Sequence, residues 1–283
     1  MEIKALDVKK LREKTGAGMM DCKKALLEAE GDFKKAEKIL KELGLAAAAK
    51  RGGRATKEGQ IFSVIKDGKG VLLELSCETD FVAKNKEFVR LGEELSNLIL
   101  EKENIGKESP EIDEKIKEAI GRIKENIELK RFKRLKADEK QFLVNYIHRA
   151  GDIGKIGVLL LFEVEDPSLK DNPRLKEVAF DMALHTAAYA PLFLSRDKVN
   201  PDYLKEQEEI FLKQAQNLGK PEKVLQGIVK GKINKHLSEI CLMDQMFVKD
   251  QKLKVSQVLE NLGKELNSRV NIADFLYFRL GEE

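Results

Sequence analysis

The chain has 283 residues, of which 42% are hydrophobic and 36% charged, with a formal net charge of +3 at pH 7. That apolar content builds a core and excludes a disordered chain, while the near balance of charge gives no argument for nucleic acid. No apolar run approaches the length of a membrane span, and the opening MEIKALDVKKLREK has neither the apolar segment of a secretory signal nor the acid-poor composition of a transit peptide, so a cytoplasmic protein without a membrane or DNA partner is expected.

Helical spacing starts at once. A first helix is predicted near Val8 to Lys14, stopping at Gly16. A second runs from about Met20 or Asp21 to Gly31, with Ala25, Leu26 and Ala29 on one face. Asp32 is a natural N-cap for a third, FKKAEKILKEL, ending at Gly44, with Phe33, Ala36, Ile39, Leu40 and Leu43 facing inward. So thin a core suits a docking module. AAAAKRGGRATKEG follows, with alanines able to prolong a helix and a glycine pair that reads as a flexible linker. Residues 1–54 are therefore expected to be a three-helix docking domain with its linker.

QIFSVIKDGKGVLLELSC has two apolar, β-branched runs around an Asp-Gly turn, the signature of a β-hairpin. A long helix is predicted from Phe88 to Lys102. The chain then repeats itself. At a shift of 87 residues, GVLLELSCETDFVAKNKEFVRLGEELSNLI lies without gaps on GVLLLFEVEDPSLKDNPRLKEVAFDMALHT. Gly70 falls on Gly157, Asn85 on Asn172, Phe88 on Leu175, Leu91 on Val178 and Leu95 on Met182. Each copy is a strand, a polar corner and an amphipathic helix. The copies differ at the corner, where Asp80 and Phe81 correspond to Pro167 and Ser168. A residue serving only the shared packing would stay apolar in both, so Phe81 is expected to do something beyond the fold.

The charged stretch from about 108 to 140 is expected to be helical. It contains LKRFKRLK, residues 129–136, with five bases and no acid. Its ordinary reading is a solvated face; its functional reading is a patch for RNA or the ribosome. Beyond the second repeat, two helices broken at Gly219–Lys220–Pro221 predict a helical hairpin at about 200–240. MFVKD and VNIADFLYFRLGEE return to strand alternation around a helix near Val255 to Asn267. The whole reads as α+β. Residues 55–140 form a first α+β core subdomain, and residues 141–283 a second that carries the hairpin and a C-terminal module, both with antiparallel sheets.

Chemistry is sparse. No phosphate-cradling glycine loop exists, and GAGMMD follows a helix rather than a strand, which removes the dinucleotide reading. His148, His185 and His236 do not lie at metal-ligand spacing. The cysteines, Cys22, Cys77 and Cys241, are distant from one another and odd in number, so reduced thiols and no zinc are expected. Cys77 at a strand end could be a nucleophile or a small buried hydrophobe; Glu78 and Asp80 could be a carboxylate pair or turn caps. No enzyme and no cofactor is expected. Retained alternatives are a basic protein binding RNA or the ribosome through residues 129–136, a Cys77-dependent enzyme, and a structural dimeriser using the hairpin.

Two stretches, LREKTGAGMMDCKKAL and CETDFVAKN, closely resemble the two signatures of the bacterial elongation factor Ts family; YIHRAGDIGKIGVLL and DFLYFRLGE resemble two further family segments. The resemblance runs over essentially the whole chain. It implies a ubiquitin-associated-like three-helix domain, a core of two related α+β subdomains and a helical-hairpin excursion. It also implies a partner, elongation factor Tu in GDP-bound and nucleotide-free states, and the activity of a non-covalent guanine-nucleotide exchange factor in translation elongation. Oligomeric state stays open, including a homodimer within a larger complex. Residue by residue, Arg12, Met19, Met20 and Lys23 match positions that dock on the partner's nucleotide-binding domain. Thr79, Asp80, Phe81 and Val82 match the segment that displaces magnesium. His148 matches a contact histidine, followed here by a slightly longer spacing. Phe247 and Val248 match a segment that touches a second partner domain, and Lys249 stands where the family often has methionine.

Overall fold

Helix α1 (Ala5–Thr15) stops where Gly16 adopts φ 68°, a conformation open to a residue without Cβ. Helix α2 (Met19–Glu28) and helix α3 (Phe33–Arg51) complete a small bundle, with the Asp32 side chain accepting the Lys35 N–H at the start of α3. Leu11, Cys22, Ala25, Leu26 and Ala36 fill its interior. This is a computed structural model, and it describes residues 3–216 and 221–282.

Strands β1 (Glu58–Lys66) and β2 (Lys69–Cys77) pair antiparallel through Asp67 and Gly68, both at positive φ, the two-residue turn whose twist suits a hairpin. A single turn, α4 (Asp80–Ala83), leads into α5 (Lys86–Glu101) and α6 (Pro110–Ile123). Strand β3 (Ile127–Lys136) then adds to the free side of β2, giving the order β1-β2-β3. β4 (Gln141–Ala150) and β5 (Ile153–Val164) form a second hairpin, followed by α7 (Pro173–Tyr189), α8 (Pro201–Gln216) and α9 (Glu222–Ile240). The helix break expected at Gly219–Lys220 lies outside the described residues. The short pair β6 (Met246–Phe247) and β7 (Asp250–Lys254), helix α10 (Val255–Leu266) and β8 (Val270–Arg279) close the chain, with β8 pairing to β5 in the order β4-β5-β8.

Three local expectations are corrected. Helix α3 does not end at Gly44; it runs on through the alanines to Arg51. Gly44 is where α3 crosses α6: a Cβ on Gly121 would stand 2.8 Å from the Gly44 Cα, so the missing side chains set the approach. Leu43, expected inside, is exposed. The stretch 108–140 is only half helical, because LKRFKRLK is strand β3. Its arginines serve the fold. Arg131 Nε donates to the buried carboxylate of Glu74 at 2.7 Å, and Arg134 donates to the carbonyls of Ile99, Lys102, Glu103 and Ile105. The guanidinium thus binds the Ile99 carbonyl in the last turn of α5 and three carbonyls of the segment that leaves it.

The 87-residue repeat is present in three dimensions. β2 and β5 are both central strands. Phe88, Leu91 and Leu95 on α5 are buried as Leu175, Val178 and Met182 are on α7. Asn85 and Asn172 both cap the helix that follows, and the ladders shift register at equivalent places, Glu74/Leu75 and Leu161/Phe162. The two sheets meet face to face through this repeat. A Cβ on Gly70 would lie 2.8 Å from the Leu159 side chain, and one on Gly157 would lie 2.6 Å from that of Leu72 and 2.4 Å from that of Ile61. Leu72 and Leu159 are themselves repeat equivalents. Each sheet therefore seats its leucine in the hollow left by the other's glycine, the reciprocity of an isologous interface within one chain. At the far end, Glu74 accepts the Gly281 N–H and Arg131 donates to the Arg279 carbonyl, which ties the end of the chain to the first sheet.

Gly157→Ala should lower stability by about 1–3 kcal/mol, the usual cost of overpacking a filled core. Gly227→Ala, on α9 with nothing within 4 Å, is the control and should be neutral or slightly stabilising. Urea midpoints decide this; equal midpoints would show that the sheets do not depend on the glycine hollows.

Candidate functional site

The corner after β2 is built from buried groups outward. Cys77 is fully buried, its Sγ donates to the Thr79 carbonyl at 3.2 Å, and burial pushes the thiol up to about 12. It is therefore a protonated core residue rather than a nucleophile. Thr79 caps α4, with Oγ1 accepting the Val82 N–H at 3.3 Å. The same hydroxyl donates to Glu125 Oε1 at 2.7 Å, and the Thr79 N–H donates to Glu125 Oε2 at 3.0 Å. One carboxylate thus takes both donors of Thr79. Val82 and Ala83 turn into the first core beside Phe88. The buried side chain of Gln60 donates to the Ala83 carbonyl at 2.6 Å and accepts the Gly154 N–H at 3.0 Å, so it joins the corner to the start of β5.

With Thr79 and Val82 committed to the fold, Asp80 and Phe81 are left facing solvent. Phe81 is 82% exposed. Burying such a ring is worth roughly 1.5–3 kcal/mol to whatever covers it. Asp80 is not the cap. It meets Lys84 Nζ at 2.9 Å, and that ammonium holds its carboxyl below the ordinary value. The equivalent corner of the second sheet is capped by Asp166 instead, and exposes Ser168 where the first exposes Phe81.

The remaining sequence-picked residues fall into two groups around this corner. His148 is exposed on β4, at the register shift His148/Arg149, with Tyr146 Oη 3.2 Å from its Nδ1. The tip of its hairpin leans on the corner, since Ile153 is buried in the first core. Tyr146 meets Phe180 of α7 edge-on at 5.8 Å. Phe180 is an exposed aromatic that the sequence reading missed. Leu175, Val178, Ala179 and Met182 define the buried face of α7, and Phe180 lies off it, which was the available signal. Its neighbour Asp181 pairs with Lys249 at 2.7 Å.

Phe247, expected as a contact residue, is buried in the second core beside the His185 ring, because β6 points it inward; Val248 is exposed. The Val248 N–H donates to His185 Nδ1 at 3.2 Å, so His185 carries its proton on Nε2, 3.0 Å from Gln245 Oε1. Burial holds that imidazole below its ordinary pKa, in the neutral form this bonding requires.

At the other end, Met19 and Met20 open α2 at 50% and 64% exposure, with Arg12 and Lys23 exposed beside them. Asp21 pairs with Lys124 at 3.3 Å. The neighbour of Lys124 is the Glu125 that holds Thr79. Next comes Asn126, whose N–H donates to Glu78 and whose Nδ2 donates to the Arg54 carbonyl, both at 2.7 Å. Three consecutive residues therefore hold α2, the corner and the segment leaving the bundle. Among the described residues no group of three His, Cys, Asp or Glu side chains could hold a metal ion, and no helix is long and apolar enough to cross a membrane.

A family model described as Elongation factor TS matches residues 78–282, beginning within this corner. The chain is 46% identical over 281 residues to "Elongation factor Ts" of Treponema denticola, which covers 99% of each chain. It is 46% identical over 275 residues to that of Borreliella burgdorferi strain B31, covering 97% of this chain and 98% of the relative. Against that of Borrelia hermsii it is 45% identical over 285 residues, covering 99% and 100%.

Phe81→Ala should leave folding stability within about 0.5 kcal/mol of the parent, as for surface positions, whereas Phe247→Ala should cost about 3–5 kcal/mol through a cavity. Denaturant midpoints measure both. A comparable loss for Phe81→Ala would return that ring to the core.

Proposed function

Because the chain belongs to the elongation factor Ts family, we propose that it is the guanine-nucleotide exchange factor of elongation factor Tu, acting in the cytoplasm during translation elongation. It binds the GDP-bound partner, promotes GDP release by disturbing the magnesium and phosphate site, and leaves the partner open to GTP. The observation that carries this reading is the rigid apolar ring of Phe81 held in water on a turn whose other side chains are tied down.

A GTPase holds its nucleotide partly through magnesium, which bridges phosphate oxygens and protein ligands. Phe81 is suited to wedging between loops around that site, because an aromatic ring gains by burial and has few rotamers to lose. Asp80 brings a negative charge beside the same phosphates. Met19, Met20, Arg12 and Lys23 form the docking surface for the nucleotide-binding domain, where methionine adapts its shape to a partner. His148 and Val248 supply further contacts, with Phe247 supporting Val248 from within. The domain division follows the same roles: residues 1–54 dock, 55–140 wedge, and 141–283 hold the second partner domain. Phe180 and Tyr146 extend the surface between His148 and Val248. Of the five bases of β3, Arg131 and Arg134 are engaged within the fold and Lys130 and Lys136 pair with Glu128 and Glu103, which weakens the case for an RNA surface there.

No covalent step is needed. The coupling is reciprocal: whatever factor reduces GDP affinity also reduces the affinity of the complex when GDP returns, and about 3 kcal/mol of coupling corresponds to roughly 150-fold. Nucleotide then displaces the factor and the cycle turns over.

Two outcomes test this. In stopped-flow release of fluorescent GDP from elongation factor Tu, Phe81→Ala should lower the rate at saturating factor by about tenfold, equal to ~1.4 kcal/mol of barrier. Met20→Ala should instead raise the concentration needed for half-maximal rate. A Met20→Ala effect confined to the maximal rate would contradict the separation of docking from wedging. Second, the losses caused by Phe81→Ala and Asp80→Ala should shrink in chelator relative to millimolar-scale magnesium, because coupled effects are non-additive. Equal fold-losses in both would show that the two residues act on the nucleotide pocket by a route that bypasses the metal.

A further inference from the structure

We propose that Glu125 is a positioning residue for nucleotide exchange: it sets the direction of Phe81 through Thr79 without touching the partner. The proposal rests on the exchange reading above.

The geometry is specific. Glu125 is half-buried in the short link between α6 and β3, directly after Lys124, which takes φ 68° to end the helix. Its two oxygens receive the hydroxyl and the N–H of Thr79 at 2.7 and 3.0 Å. Because the hydroxyl proton goes to Glu125, a lone pair of Oγ1 is left aimed at the Val82 N–H, which it accepts. The carboxylate thus orients the cap, and the cap fixes the first turn of α4. That helix has four residues, too few to hold itself, so its geometry must come from outside. Phe81 lies inside the turn, between the two ends of the Thr79–Val82 bond.

Location and direction are set by different groups. Val82, Ala83, Cys77 and Gln60 anchor the corner to the cores, and each is buried. Glu125 is only half-buried and meets the corner through its carboxylate. What it adds is the rotation of Thr79 and of the residues after it. A neutral amide at this position offers one acceptor oxygen, for the Thr79 N–H, and its N–H2 group can meet the hydroxyl only by donating to Oγ1, which reverses that bond and removes the proton placement that aims the cap. Displacement of a ring that must enter a partner costs rate even when the fold is intact, because a misplacement of about 1 Å reaches the level of about 100-fold.

The test is stopped-flow release of fluorescent GDP from elongation factor Tu, with the full chain as Glu125→Gln, Thr79→Val, Thr79→Ser, Phe81→Ala, and the Glu125→Gln/Phe81→Ala pair. Glu125→Gln should lower the maximal rate by about tenfold, the order of loss expected from a ring displaced by less than about 1 Å. Its half-maximal concentration and melting temperature should stay close to the parent's. Thr79→Val should show the same loss, and Thr79→Ser, which keeps both donors, should restore most of it. In the Phe81→Ala background Glu125→Gln should cost nothing further, since no ring is left to aim. An equal fold-loss in both backgrounds would overturn the proposal, as would an unchanged maximal rate or a loss that follows the melting temperature. If Glu125→Gln does not fold, Thr79→Val decides alone, and a parental rate for it overturns the proposal. The exchange reading fails separately, if the parent chain itself does not accelerate GDP release; a parental rate for Phe81→Ala would leave exchange standing and overturn the wedge and this proposal with it.

Discussion

Both hydrogen-bond donors of Thr79 end on the carboxylate of Glu125, and much of the surface around the corner is organised by that meeting. It joins the end of β2 to the link between α6 and β3, which are 46 residues apart in sequence. On one side of Glu125, Lys124 reaches Asp21 at the start of α2; on the other, Asn126 reaches Glu78 and the Arg54 carbonyl. The exposed methionines of α2 and the exposed ring of Phe81 are thus referenced to the same three residues. Across the corner, Gln60 extends the frame to Gly154 and hence to the hairpin carrying His148. The sheets beneath stay in register because Leu72 and Leu159 each fill the hollow of a glycine in the opposite sheet.

This arrangement explains how a large ring stays in water without collapsing into the nearest core. Its neighbours are spoken for: Val82 by the first core, Thr79 by Glu125, Asp80 by Lys84. The second corner, built on the same plan, exposes Ser168 and carries no such ring. The two halves share a scaffold and differ in what they present, with the Phe81 ring on one and the Tyr146–Phe180 pair on the other.

Much of this was legible in the sequence where a pattern is local. The Asp-Gly turn and the Asp32 cap follow from turn chemistry within a few residues, and the repeat from two copies of one local pattern. The failures share one cause, a partner far away in the chain. Gly44 reads as a helix stop until Gly121 is known to lie against it. The bases of β3 read as a solvated helix because Glu74 and the end of α5, which receive Arg131 and Arg134, are invisible from their own stretch. Phe247 and Val82 sit in matched segments beside residues that do face out, and only the structure sorts inward from outward. Gln60 and Glu125 carry no motif at all; they matter through hydrogen bonds to elements that periodicity cannot place together.

Residue 81 should become buried in elongation factor Tu when GDP leaves. The chain contains no tryptophan, so Phe81→Trp labelled with 5-fluorotryptophan gives one fluorine signal from the factor. In the free protein that signal should show the full shift between H2O and D2O expected of a solvated ring. On forming the nucleotide-free complex it should move and lose that solvent shift, and GDP should restore it. A complex that exchanges nucleotide while the fluorine at position 81 keeps its full solvent shift would contradict the account.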